Sequence, residues 1–401
     1  MSLSGPYAAM GRQAEAALRL FVADTNAAGG LELAGERHEL ALECFDDRGE
    51  RGRAELIYRE LCHGGRAGIL FGPYGSAPTR AAAPIAETAG MLFVNHGGAD
   101  DALYERGYRM IVGVLTPASE YMVEFVRLVG TLKFWRKRLA LVTSRTPFAK
   151  AVASGAERAC RSRLARIRHT RVRLKYSGSF EPDGIGEQLH RALRRNRINV
   201  LISAGSYEHD LAVMRFAASE RANIPVLGCV AAGVNRFRAD LGDAAEGIVG
   251  PAQWDANIAP IPTDGISAAE FTRRYQAANG AEPDYPAAQA YAAGWLTLAA
   301  VRAAQSLEPA RVRAAFADLR ATTFFGDFAI DPESGRQVGH KMVLLQWHAG
   351  RKVVIQPEPE LQTGELQFPS GWRLLLASFQ LLRLTRRDDE QDDVEDLDEP
   401  D

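Results

Sequence analysis

Residues 4–30 read SGPYAAMGRQAEAALRLFVADTNAAGG, a glycine–proline turn that runs directly into a long amphipathic helix. Gly5-Pro6 punctuates the chain, and the apolar residues that follow recur at helical spacing. In an α/β protein, a turn between the carboxyl end of a strand and the amino end of a helix is where ligands bind. Only Met1-Ser2-Leu3 precede the turn here, too few for a complete first strand.

Outward from that helix, strand-like and helix-like runs alternate. HELALECF (38–45), AGILF (67–71) and MLFV (91–94) read as strands, separated by helices over 51–62 and after Ser76. AGILF is continuously apolar, as expected of a strand buried on both faces. A second series predicts helices over 121–132, 148–160 and 211–220 and strands over 138–143, 198–205 and 224–230. This βαβ rhythm predicts parallel sheets covered by helices, and its repetition predicts two similar lobes. Beyond residue 245 come a strand at 247–254, helices at 266–279 and 286–305, and strands at 322–330, 341–348 and 352–357. That late return of strands fits a chain that crosses between lobes more than once. Residues 358–387 read as an apolar, helix-like appendix, and 388–401 as an acidic tail expected to be disordered.

The 401 residues suffice for two hydrophobic cores, and the net charge of -2 conceals an asymmetry. Ten of the last fourteen residues are acidic, so the body of the chain is basic. Its arginines cluster in RSRLARIRHTRVRLK (161–175) and RALRRNR (191–197). Little aromatic interleaving accompanies them, so they read as a solvated face and not as a nucleic-acid site. Cys44, Cys62, Cys160 and Cys229 have neither metal-ligand nor CxxC spacing. The longest apolar run, 368–384, is interrupted by Arg373 and Arg383 and falls short of the roughly 20 residues that span a bilayer. No GxSxG, HExxH, Walker or GxGxxG pattern occurs, so neither catalysis nor a cofactor or metal is expected.

Eight segments in order carry a resemblance. They are SGPYAAMG with NAAGG, ECFDDRG (43–49), ILFGPYGS (69–76), AAAPIAE (81–87), RGYRMI (106–111), GDAAEG (242–247), TTFFGDFAIDPESGR (322–336) and VLLQWHAGRKVVIQPE (343–358). With them, the chain resembles the leucine/isoleucine/valine-binding family of periplasmic solute-binding proteins, the type I periplasmic-binding fold, from Ser4 to about Pro357. The resemblance implies two doubly wound parallel-sheet lobes joined by a three-crossing hinge, here with the first strand cut short. It places residues 1–115 plus 247–325 in lobe one and 116–246 plus 326–357 in lobe two. It also implies a small-molecule ligand in the cleft and an inner-membrane ABC permease as partner.

Residue by residue, the resemblance points to Ser76 as the hydroxyl that holds a ligand carboxylate, with Tyr74 nearby. A helix cap is the other reading of Ser76. Gly97 and Gly98 would offer backbone groups, while the hydroxyl position beside them is occupied by Ala99. His96 in the same loop is either a donor or a packed loop residue. Tyr7 and Met10 would wall the side-chain pocket from lobe one, and Phe148, Ser206 and Tyr207 would face it from lobe two. Amino-acid binders of the family carry an acidic residue where this chain has Val230. An ammonium buried without a countercharge costs several kcal/mol, and Asp100 and Asp101 are the only loop acids nearby. The expected ligand is therefore a carboxylate or amide without a free α-amino group. Met1–Tyr7 lacks the charged and apolar regions of a signal peptide. The sequence thus leaves two addresses open. One is a periplasmic protein whose true start, with leader and first strand, lies upstream. The other is a cytoplasmic ligand sensor of the same fold.

Overall fold

The computed structural model describes residues 1–64, 68–132, 137–162, 167–173, 182–219, 224–257, 260–356 and 364–367. A short 3-10 turn, Gly5–Tyr7, leads into α1 (Ala8–Ala27), followed by the hairpin β1 (Leu31–Leu33) and β2 (Glu36–His38). Then come α2 (Arg51–His63), β3 (Leu70–Phe71), α3 (Ser76–Thr88), β4 (Phe93–Asn95) and β5 (Ile111–Gly113). The middle of the chain supplies α4 (Val123–Thr131), β6 (Arg138–Thr143), α5 (Pro147–Cys160), β7 (Arg168–Arg173), α6 (Pro182–Asn196) and β8 (Val200–Ala204). It continues with α7 (Tyr207–Ser219), β9 (Val226–Cys229), α8 (Phe237–Leu241) and β10 (Val249–Ala252). The last part holds α9 (Ala268–Asn279), α10 (Tyr285–Ala304), α11 (Pro309–Asp318), β11 (Ala321–Thr323), β12 (Gly326–Phe328), β13 (Val343–His348) and β14 (Arg351–Gln356).

The second lobe is built on seven strands in the order β14-β13-β10-β9-β8-β6-β7, parallel from β10 to β7 and antiparallel at β13 and β14. The first lobe has the parallel set β3-β4-β5 and two small hairpins, β1-β2 and β11-β12. Its core is mainly helical. The apolar face of α1 (Ala14, Ala17, Leu18, Phe21) packs on α10, which is buried nearly all round, as a helix without a polar face must be. A Cβ on Gly294 would stand 2.5 Å from the Phe21 ring, so glycine there lets the two helices approach.

Four expectations are corrected. Val249–Ala252, assigned above to lobe one, is a strand of the second sheet, because the chain leaving β9 returns as its parallel neighbour. TTFFGDFAI is a hairpin and not a single strand, since Gly326, at φ 149, breaks it. Phe324, Phe325, Phe328 and Ile330 join the first-lobe core, so the last crossing follows residue 330 instead of preceding 326. HELALECF is not a strand either. The Leu40 amide and carbonyl both bond the Asn26 side chain, and 39–46 enters no ladder among the described residues. Beside it lies an apolar cavity of about 320 Å³ lined by Leu18, Phe21, Leu42, Leu70, Phe71 and Val301, among others.

The arginine clusters fall on neighbouring elements of the second lobe. Arg168–Arg173 is the edge strand β7, hidden in the sequence by its charge, and RALRRNR ends α6. Arginines on an edge strand discourage pairing with another chain; one of them, Arg171, is forked onto Glu157 of α5 at 2.7 and 2.8 Å. The appendix and acidic tail lie outside the described residues except for 364–367. There Gly364 donates to Val354 O, and Gln367 exchanges hydrogen bonds with the Gln346 side chain.

Candidate functional site

The three crossings pass side by side and are tied by buried polar side chains. Gln253, on the second crossing, accepts the Thr116 amide at 3.1 Å and donates to the Thr116 carbonyl at 3.0 Å on the first. Thr116 Oγ1 lies 2.6 Å from Nδ1 of His340 on the third, whose Nε2 lies 3.1 Å from Phe325 O. His340 stacks on Phe325, and burial pushes its pKa down to about 4, so the ring is neutral. A neutral imidazole donates from one nitrogen and accepts at the other, which fits these two partners.

Open α/β sheets bind ligands outside the carboxyl ends of their parallel strands, and in both lobes those ends carry short loops. The loops there are Gly72–Gly75 after β3, His96–Asp100 after β4, Ser144–Thr146 after β6, Gly205–Ser206 after β8 and Val230–Gly233 after β9. The first loop of the chain is pinned beside them. Asp46 accepts the Leu3 and Ser4 amides and the Ser4 hydroxyl, and Asp47 accepts the Ser2 hydroxyl. Burial raises the Asp46 pKa, but the Ser4 hydroxyl and the Arg48, Leu3 and Ser4 amides outweigh it and hold the group near 2.

This anchoring presents Tyr7 to Tyr74, with ring centroids 6.2 Å apart. The Tyr74 hydroxyl is hydrogen-bonded to that of Tyr285, at the start of α10. From the second lobe, Tyr121 packs edge-on against Phe148, centroids 5.3 Å apart, and its hydroxyl takes a 3.0 Å bond from Gln253 Nε2. Tyr121 is close enough to raise the pKa of both Tyr74 and Tyr285. Burial pushes Tyr121 up to about 12 and Tyr74 and Tyr285 higher, so all three phenols stay protonated and able to donate.

A family model for periplasmic binding proteins matches residues 1–352. The chain belongs to the periplasmic binding protein family. Among curated relatives, the leucine-specific-binding protein of Salmonella typhimurium is 23% identical over 367 residues, covering 87% of this chain and 89% of the relative. Two solved structures share the fold. The leucine binding protein LivK of Thermotoga maritima superposes with a TM-score of 0.73 at 19% identity, covering 90% of this chain and 97% of that one. An ABC-transporter solute binding protein from Rhodopseudomonas palustris BisB5, in complex with 3,4-dihydroxybenzoic acid, superposes with a TM-score of 0.72 at 17% identity, covering 92% and 97%. The architecture of this periplasmic binding protein is thus type I, and these relatives are leucine-binding and solute-binding proteins.

The residues singled out from the sequence fall into three groups. Tyr7, Tyr74 and Phe148 lie in the aromatic cluster described above. Met10 is half-buried on the first turn of α1, three residues after Tyr7. Ser76 is the first residue of α3, while the cap position is Gly75, at φ 100, where any Cβ would stand 3.0 Å from the Tyr7 ring. The Ser76 hydroxyl is therefore not the cap. Val230 opens the loop after β9, half-buried and packed on the same apolar cluster as Phe148.

Other candidates are already engaged. The Gly97 and Gly98 amides donate to Asn95 Oδ1, at 3.3 and 2.9 Å. A Cβ would stand 2.4 Å from Pro73 O at Gly97 and 2.5 Å from Thr79 Oγ1 at Gly98, so packing explains both glycines. Ser206 Oγ accepts the His209 amide, and Tyr207 donates to Asp240 with Arg236 over its ring. His96 is wholly buried near Phe71 and the Gly72 backbone, and burial pushes its pKa down to about 4, so the ring is neutral. It supplies no cation. Asp100 pairs with Arg80, and Asp101 binds Ser119 and Arg336, so neither replaces an acid at Val230.

Sequence reading missed Tyr121, Tyr285 and Glu208. Asp284-Tyr285-Pro286 is a helix-start pattern that could have drawn attention to Tyr285. Tyr121 was absorbed into an apolar helix. Glu208 is exposed at the start of α7, and its charge helps burial raise the Tyr7 pKa.

Proposed function

We propose that this chain captures a small carboxylate, preferably an aromatic one without a free α-amino group, in the inter-lobe cleft and delivers it to an inner-membrane ABC permease. The observation that carries this reading is the composition of the cleft. Protonated Tyr74, Tyr285 and Tyr121 and the edge of Phe148 surround it, Val230 stands at the family's acidic position, and both nearby loop aspartates are paired elsewhere. Neutral phenols and the Ser76 hydroxyl at a helix N-terminus suit a carboxylate. Aromatic walls suit a ring packed edge-on or offset. The relative bound to 3,4-dihydroxybenzoic acid supports such a ligand within this fold, and family membership supports delivery to a permease and a periplasmic address.

A thermal-shift and calorimetric comparison of 3,4-dihydroxybenzoate, benzamide and leucine tests the reading. The aromatic acid is expected to bind at least ten-fold more tightly than leucine, and Val230→Glu to reverse that order. Tight leucine binding by the natural chain, abolished by Glu208→Gln, would show that Glu208 supplies the countercharge and would overturn it.

A further inference from the structure

Beyond the three crossings and the Asp101–Ser119 bonds beside the first of them, a further set of hydrogen bonds joins the lobes. Asp284 caps α10 in the first lobe, and Oδ1 accepts the Tyr285 amide at 2.8 Å. Its Oδ2 accepts the backbone N–H of Asn235 in the second lobe, also at 2.8 Å. The Asn235 amide side chain adds a longer bond of 3.5 Å to Pro283 O. Behind them the Asp284 main-chain N–H donates to Gln13 of α1 at 3.0 Å, and the residue is 4% exposed. Capping a helix needs only one side-chain oxygen. Here the second oxygen is directed at the opposite lobe.

We propose that Asp284 is a positioning residue that latches the cleft shut by holding the Asn235 amide; this rests on the reading of the cleft as the ligand site. Opening the lobes would return Oδ2 and the Asn235 N–H to water, so the bond stabilises the closed arrangement alone. A contact made in one state shifts the equilibrium toward that state by its own free energy. Charge-assisted bonds of this kind are stronger than neutral ones. The latch is also coupled to the site. The residue after it, Tyr285, is bonded to Tyr74 in the aromatic wall, so a ligand seated there presses on the helix end that the latch holds.

Two substitutions separate latching from capping. Asp284→Ser keeps an oxygen for the Tyr285 amide but is too short to span to Asn235. Asp284→Asn can keep the cap while turning an N–H toward the Asn235 N–H. In ligand-free protein, hydrogen exchange at the Asn235 amide is expected to speed about ten-fold in both variants, with Tyr285 protection and the Tm of Asp284→Ser nearly unchanged. Escape of 3,4-dihydroxybenzoate is expected to quicken by a similar factor. Equal exchange at Asn235 in the natural chain and both variants would overturn the latch, even if ligand still binds. A response at Asn235 in a protein that takes up no 3,4-dihydroxybenzoate would instead leave the latch standing and remove the ligand assignment.

Discussion

The two lobes solve the same architectural problem with different materials. In the second, seven strands form one continuous sheet whose central members β6, β8 and β9 are buried almost to the last residue. In the first, three strands pair as a parallel sheet among the described residues, Leu40–Phe45 runs alongside without a ladder there, and a cavity of about 320 Å³ lies beside them. The first lobe is held instead by the α1–α10 helix pair and by the aromatic cluster of Trp254, Phe271, Tyr291 and Phe324. A ligand cleft needs loops in fixed positions, and a helical core can supply them as well as a wide sheet can.

The largest expected effect bears directly on that contrast. Leu141→Ala, at a fully buried position in β6, should cost about 3 kcal/mol, the usual range for an aliphatic truncation in a tight core. Leu42→Ala, on the half-buried cavity wall, should cost about 1 kcal/mol. Urea unfolding measures both, and equal costs would break the comparison.

A second difference is polar. His96, after β4, and His340, on the last crossing, are buried and neutral with pKa near 4, against about 6.5 in an unfolded chain. Between those values the unfolded state binds more protons, so stability falls as pH drops from 6.5 toward 4. Each histidine should contribute about 2 kcal/mol to the loss by pH 5. His96→Leu should flatten this slope. An unchanged slope between pH 7 and 5 would show that His96 is not the group involved.

The smallest effect concerns the cavity itself. Apolar cavities take up small apolar guests, so xenon or benzene should raise the Tm by about 2 °C through mass action. Leu42→Trp, which would fill part of the space, should abolish that rise. A guest that leaves the Tm unmoved would mean that the space closes in solution.

Much of the fold was legible in the chain because buried parallel strands and amphipathic helices leave strong local patterns. AGILF, RLALVT and INVLISAG could hardly be misread, and SGPY marked the turn that leads into α1. Failures came where local pattern and partner disagreed. HELALECF alternates like a strand, yet its Leu40 groups bond Asn26 instead of a neighbouring strand. Arg168–Arg173 reads as a charged surface and yet forms an edge strand. Strand pairing is a property of two segments, and one segment's pattern cannot report whether the other is there.

The same division applies to the site. Sequence alone determined that turns rich in glycine, proline and tyrosine stand at strand ends, and that position 230 carries an uncharged valine. Those are covalent facts, legible at each position. Only the tertiary structure decided that Ser76 is not a cap, that the Gly97 and Gly98 amides donate to Asn95, and that Asp284 meets the opposite lobe. Each of those outcomes depends on which distant group lies within hydrogen-bonding or packing distance, and only the folded chain brings Asn235 to Asp284.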